Sequence, residues 1–136
     1  MEMRVAFAGA VVFAWCAASL QAHHSIAGMY DQSRRVNVDG VVAEFHNVNP
    51  HPFVLVDVSR DGGSPERWKV ELDNRGELAA VGVTNETWKP GDRVMVSGSP
   101  GRADSKTMYV WKMERPSDGL VYEQIGTSPH IRGLRK

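Results

Sequence analysis

Cysteine is all but missing from this chain. The single one, Cys16, sits in the first apolar stretch, so a domain folded downstream of it has no disulfide and must hold by its core. An excess of charge is missing too, because 16 Lys and Arg balance 16 Asp and Glu. Such a balance argues against a general nucleic-acid binder, whose affinity comes from basic side chains that neutralise phosphates. The main apolar run, residues 5–20, falls short of the roughly 20 residues that span a bilayer. Two catalytic signatures are also lacking. Residues 98–101 read Gly-Ser-Pro-Gly, a turn and not a phosphate-cradling loop, and no G-x-S-x-G elbow exposes a nucleophilic serine.

What is present begins with a leader. Arg4 gives a basic start, residues 5–20 are almost uninterrupted apolar side chains, and Leu20-Gln21-Ala22 ends on a small residue. This is the make-up of a cleavable secretory signal cut after Ala22; a cut after Ser19 and an uncleaved anchor are the alternatives. Trp15 stands before Cys16 where lipid attachment wants a small residue, which argues against a lipoprotein. The expected organisation is a signal peptide over 1–22, one β-barrel domain over 23–125 and a flexible C-terminal tail over 126–136. The processed chain would start at His23, in the periplasm or outside the cell, and would touch the membrane only before the signal is removed.

From residue 35 onward the pattern is of short strands and turns. In 35–45 Val36 and Val38 alternate with Asn37 and Asp39, Gly40 marks a bulge or bend, and Val41, Ala43 and Phe45 carry the apolar face onward. Residues 53–59 and 67–72 read as the second and third strands, joined through Asp61-Gly62-Gly63, with Trp68, Val70 and Leu72 on one face. Residues 74–83 read as a short helix capped by Asn74. Lys89-Pro90-Gly91-Asp92 turns into a strand over 93–98. A strand over 107–115 points Tyr109, Trp111 and Met113 inward, and an edge strand covers 120–125. Three strands, a helix, then two or three strands predict an all-β fold. It is a small five- to six-stranded Greek-key barrel of the oligonucleotide/oligosaccharide-binding (OB) type, preceded by a signal-peptide helix. An open two-sheet sandwich is the other arrangement that this order permits.

Several of these residues recur together in a known family. His23-His24-Ser25, Tyr30-Asp31, Gly40-Val41-Val42 with Glu44-Phe45, Asn49-Pro50-His51, Trp68 with Val70-Glu71-Leu72, and Lys89-Pro90-Gly91-Asp92 with Val94 follow one another in order. The chain thus resembles a family of short exported bacterial proteins of unknown function that begin His-His-Ser after the signal peptide. The resemblance covers roughly residues 22–119 and implies an exported barrel with no established activity. It departs from the family pattern at His46, where a tryptophan is expected, and over 82–88.

The histidines carry the chemistry. A chain starting at His23 offers its free amine and its own imidazole as one chelate, and nitrogen-rich sets favour copper, with zinc second. His24, His51 and His46 are the further candidate ligands, and His130 lies in the expected tail. Asn49-Pro50 rigidifies the turn that aims His51. The methionines at 29, 95, 108 and 113 read as core filler and not as ligands. Glu44, Asp57 and Glu71 do not read as an acid–base pair; Glu44 and Glu71 read as lining the solvent face or pairing with Lys69 or Arg67. OB barrels bind ligands on the face of strands two and three, which here gathers Phe53, Leu55, Trp68 and the loops 47–52 and 100–106. Trp68 itself reads as core. The function expected is therefore a non-enzymatic binding protein for copper or another small ligand. An envelope protein or glycan, and not nucleic acid, is the alternative partner.

Overall fold

Alternating valines from Val36 and a stop at Asn47 make the longest strand of the molecule. The computed structural model describes residues 26–134. The leader expected at 1–22 and the pair His23 and His24 lie outside the described residues. In chain order the elements are β1 (Val36–His46), β2 (Phe53–Val58), β3 (Glu66–Glu71), α1 (Arg75–Ala80), β4 (Arg93–Pro100), β5 (Thr107–Arg115), β6 (Leu120–Ile125) and β7 (Ser128–Arg132). Residues 26–29 form a helical turn ahead of them. Among the described residues no helix is long and apolar enough to cross a membrane.

β1 is shared between two neighbours, pairing antiparallel with β4 along its first half and with β2 along its second. β2 pairs with β3 and β4 with β5. A short parallel pairing of Lys69, Val70 and Glu71 with Thr107, Met108 and Tyr109 then joins β3 to β5. That contact closes a five-stranded ring with α1 between β3 and β4, the expected barrel of the OB type. β6 pairs with the later half of β5 and β7 with β6, so this hairpin hangs outside the ring.

Closing so small a ring needs sharp bends. Two bulges supply them: Ala43 in β1, between the Val42–Val56 and Glu44–Leu55 pairs, and Trp111 in β5, between the Val110–Gly98 and Lys112–Ser97 pairs. Two glycines let the backbones approach. A Cβ at Gly40 would stand 2.5 Å from the Asp57 carbonyl oxygen, and one at Gly98 would stand 2.5 Å from that of Tyr109. Gly40 pairs regularly with Val94, so its role is close approach, and the bulge expected there falls at Ala43.

The bulges also correct two inward faces. Val42 is buried while Val41 is 43% exposed, the reverse of the expected Val41, Ala43 and Phe45 face, although Phe45 does pack on the core. In β5 the core takes Met108, Val110 and Met113. Tyr109 and Trp111, expected inside, are turned by the bulge to the outer face, where they are half-buried. Trp68, Val70 and Leu72 point inward as expected. Asn74 caps α1, its Oδ1 accepting the Glu77 N–H at 3.0 Å, and Leu78 from this helix is buried in the core. Trp88 is fully buried, edge-on to Phe45 and Tyr122.

Part of the segment expected as a flexible tail, Ser128–Arg132, is the strand β7. Gly126, at φ 65°, turns the chain back, Ser128 pairs with Ile125 and Arg132 with Val121, and Ile131 packs against the core. Backbone pairing holds a strand whose apolar content is too low to mark it in the sequence.

Gly40→Ala is expected to lower stability by about 2 kcal/mol or more, because the added methyl meets backbone that cannot yield locally. Gly63→Ala, where nothing lies within 4 Å of the new atom, should leave the urea midpoint nearly unchanged. Equal midpoints for the two variants would contradict the close approach of β1 and β2.

Candidate functional site

Strand alternation sends Val70 and Leu72 into the barrel and Glu71 and Asp73 to its outer side. Both carboxylates are nevertheless buried, at 6% and 5% exposure, because three other segments cover them. Buried carboxylates need hydrogen-bond donors or cations. Here the partners are neutral donors and a histidine.

Glu71 divides its two oxygens. Oε2 accepts the Tyr30 hydroxyl at 2.6 Å and Oε1 lies 2.7 Å from Nδ1 of His51. A carboxylate can only accept, so the shared hydrogen sits on Nδ1 and leaves the lone pair of the neutral ring on Nε2. His51 comes from the loop between β1 and β2, just after a cis Asn49–Pro50 bond. The Leu72 N–H donates to the Pro52 carbonyl at 2.9 Å, which registers that loop on β3. The His51 side chain keeps 26% of its exposure.

Asp73 is the second centre. Its Oδ1 accepts the Tyr109 hydroxyl at 2.7 Å, and its Oδ2 accepts the Tyr122 hydroxyl and the Gln124 amide. Gln124 also lies 3.3 Å from the Tyr109 oxygen, which ties β5 and β6 to the end of β3. Next to it, Trp111 donates its indole N–H to Ser99 at 2.8 Å and carries the Arg35 guanidinium 3.7 Å from its ring centre.

Between the two centres lies a hollow of ≈ 190 Å³. His51 lines it on one side and Asp73, Asn74 and Glu77 on another. Tyr109, Trp111 and Gln124 form an aromatic and amide wall, with Ile26, Gln32, Gly126 and Thr127 at the remaining positions. No Lys or Arg is among these lining residues. The space is below the usual range for drug-sized ligands and suits an ion or a small polar molecule.

The sequence-predicted residues separate here. His51 reaches the hollow, whereas His46 does not: its Nε2 is 2.6 Å from Glu44, its ring stacks on Phe53 at 4.6 Å, and it lines a different hollow beside Trp88. His23 and His24 lie outside the described residues. Among the described residues no three His, Cys, Asp or Glu side chains are grouped to hold a metal ion. On the face of β2 and β3, Phe53 is already in contact with His46 and with the Lys69 ammonium, and Trp68 is core. Asp57 pairs with Arg67 at 2.8 and 3.0 Å, and Glu44 is exposed on the solvent face as expected. Glu71 departs from that expectation, being covered and bonded to Tyr30 and His51. Asp73, Tyr122 and Gln124 carried no signal of their own, and Tyr30 entered only through the family pattern, since their roles arise from chain crossings.

Burial pushes all three phenols well above their ordinary value near 10, and the adjoining carboxylates add to it: Glu71 for Tyr30, Asp73 for Tyr109 and Tyr122. A phenol raised on folding contributes stability that is present in full below about pH 10 and is lost as pH climbs towards the folded value. These 3 tyrosines are all that the chain has, so its ultraviolet titration reports this network alone. The expected result is no tyrosinate absorbance in the folded protein at about one unit above the ordinary phenol value, and its appearance together with unfolding. Reversible ionisation of a tyrosine near pH 10 with the fold intact would contradict the network.

No curated protein matches the sequence. The solved structures similar in shape include two crystal structures of the mitochondrial single-stranded DNA binding protein Rim1 from S. cerevisiae. One is 13% identical with a TM-score of 0.46, covering 60% of this chain and 91% of that chain. The other, selenomethionine-labelled, is 15% identical with a TM-score of 0.44 and the same coverage of 60% and 91%. A sequence family described as a family of unknown function, DUF6152, matches residues 11–110, a span that takes in β1 to β4, α1, His51, Glu71, Asp73 and the first part of β5. The chain belongs to that family.

Proposed function

We propose that this chain is an exported, non-enzymatic binding domain whose hollow takes a metal ion, copper before zinc, through His51 and the terminal pair His23 and His24. The observation that carries the reading is His51. Its Nδ1 hydrogen is committed to buried Glu71, and Nε2 makes no hydrogen bond among the described residues while the ring lines the hollow. A histidine backed by a carboxylate in this way is the usual support of a metal ligand. The lining favours a cation, because Asp73 and Glu77 carry negative charge and no Lys or Arg is among the lining residues. Ile26 lines the same hollow, and only Ser25 separates it from His24. At about 3.5 Å of reach per residue, His23 and His24 are within roughly 10 Å of that position. A terminal amine, the imidazole of the same residue and Nε2 of His51 make a three-nitrogen set that suits Cu(II). His46, paired with Glu44 in another hollow, is left out of the ligand set.

A second reading is favoured by the wall opposite His51. Amide and carboxylate groups beside Tyr109 and Trp111 are also the chemistry that recognises a small glycan or a polar side chain of an envelope protein, without metal.

Calorimetric titration of the exported protein with Cu(II), its first residue fixed by mass spectrometry, separates the two. The metal reading expects one equivalent bound and a drop in affinity of about tenfold or more in His51→Ala, in His23→Ala and in a form with one extra residue ahead of His23. His46→Ala should bind as the parent does. Unchanged affinity in the first three variants would remove the metal reading, and a glycan or protein partner insensitive to chelators would support the second.

A further inference from the structure

Residues 26–31 are stitched to the barrel by backbone. Tyr30 bridges to Gly101, the Asp31 N–H donates to the Pro100 carbonyl at 2.8 Å, and the Arg102 N–H donates to the Met29 carbonyl at 2.9 Å. The Arg102 guanidinium adds a bond to the Ala27 carbonyl at 3.2 Å. The side chain of Tyr30 goes under this seam: it is 3% exposed, its ring centre is 5.8 Å from that of Tyr109, and its hydroxyl ends on Glu71. One buried carboxylate therefore joins the N-terminal segment, through Oε2, to the β1–β2 loop, through Oε1 and His51.

We infer that docking of the N-terminal segment sets His51: Tyr30 fixes the Glu71 carboxylate, and Glu71 fixes the histidine in the tautomer that presents Nε2 to the hollow. The physical reason is that a carboxylate held at both oxygens cannot rotate, whereas one that loses the Tyr30 donor turns to recover a second partner and no longer aligns with Nδ1. Tyr30 and Glu71 are then positioning residues. This deepens the metal reading and rests on it for its purpose, because the segment that bears His23 and His24 also prepares the ligand carried by the barrel. Coupling of this kind is reciprocal, so a metal held by both parts strengthens the docking that prepared the site.

The test uses nitrogen NMR of the His51 ring in the metal-free exported protein, read on the neutral ring, with thermal unfolding as a check of the fold. The parent should show a single tautomer protonated at Nδ1. Tyr30→Phe, which keeps the ring and removes only the hydroxyl, should give a mixture of tautomers, and Glu71→Ala a larger share of the form protonated at Nε2. Glu71→Gln offers a single acceptor oxygen to the two donors, the Tyr30 hydroxyl and Nδ1–H, so it should also give a mixture of tautomers. A parent-like single tautomer in folded Tyr30→Phe overturns the inference, and that variant decides the matter if Glu71→Ala does not fold. Zn(II) and Cu(II) titrations of the same variants should show a loss of about tenfold that follows the tautomer shift. A tautomer shift in variants of a protein that binds neither metal would uphold the device and remove the metal reading.

Discussion

Everything in this molecule follows from a three-residue parallel contact, Lys69 to Glu71 against Thr107 to Tyr109. It turns an open meander into a ring and leaves none of the five ring strands as a free edge. It also dictates the irregularities. The strands that run round the ring must bend, so one residue bulges in β1 and one in β5, and Gly40 and Gly98 stand where a methyl group would strike a neighbouring carbonyl. Without disulfides, the fold relies on this closure and on the valine-rich core that it encloses.

The same contact generates the site. Glu71 lies at the end of the parallel pairing, opposite Tyr109, and two residues on Asp73 reaches the tyrosines of β5 and β6. The donors that satisfy these carboxylates are hydroxyls, an amide and an imidazole, none of which is a permanent cation. Neutral donors lower the cost of burying a charge but do not cancel it. The hollow is lined by two acidic side chains, Asp73 and Glu77, and by no Lys or Arg, a local imbalance that the balanced charge of the whole chain conceals. That local excess, set beside a histidine nitrogen with no hydrogen-bond partner among the described residues, is what distinguishes this part of the barrel from the rest of its surface.

The order of strands and the helix were legible because valine alternation, Gly- and Pro-marked turns and the Asn74 cap are local signals. His51 was legible as a chemical candidate because it follows a turn that had to be rigid. Parity after a bulge was not legible: Trp111 looks like core by composition, and only the extra residue it represents in β5 turns it and Tyr109 outward. Glu71 reads as a surface residue because alternation places it outside the barrel, and nothing local says that Tyr30 comes back across 41 positions to cover it. β7 escaped notice for a similar reason, since it is held by backbone bonds to β6 and contributes little apolar surface. Contacts between distant segments made the site, whereas local patterns made the scaffold.

Among the described residues, the hairpin outside the ring ends the sheet on one terminal strand, β7. That strand is only five residues long, Pro129 contributes no N–H to it, and the residues on either side, Ser128 and His130, are exposed and polar. A second chain would find a poor template there. A sheet that ends on so short and polar a rim is guarded against growing by the addition of strands from its neighbours.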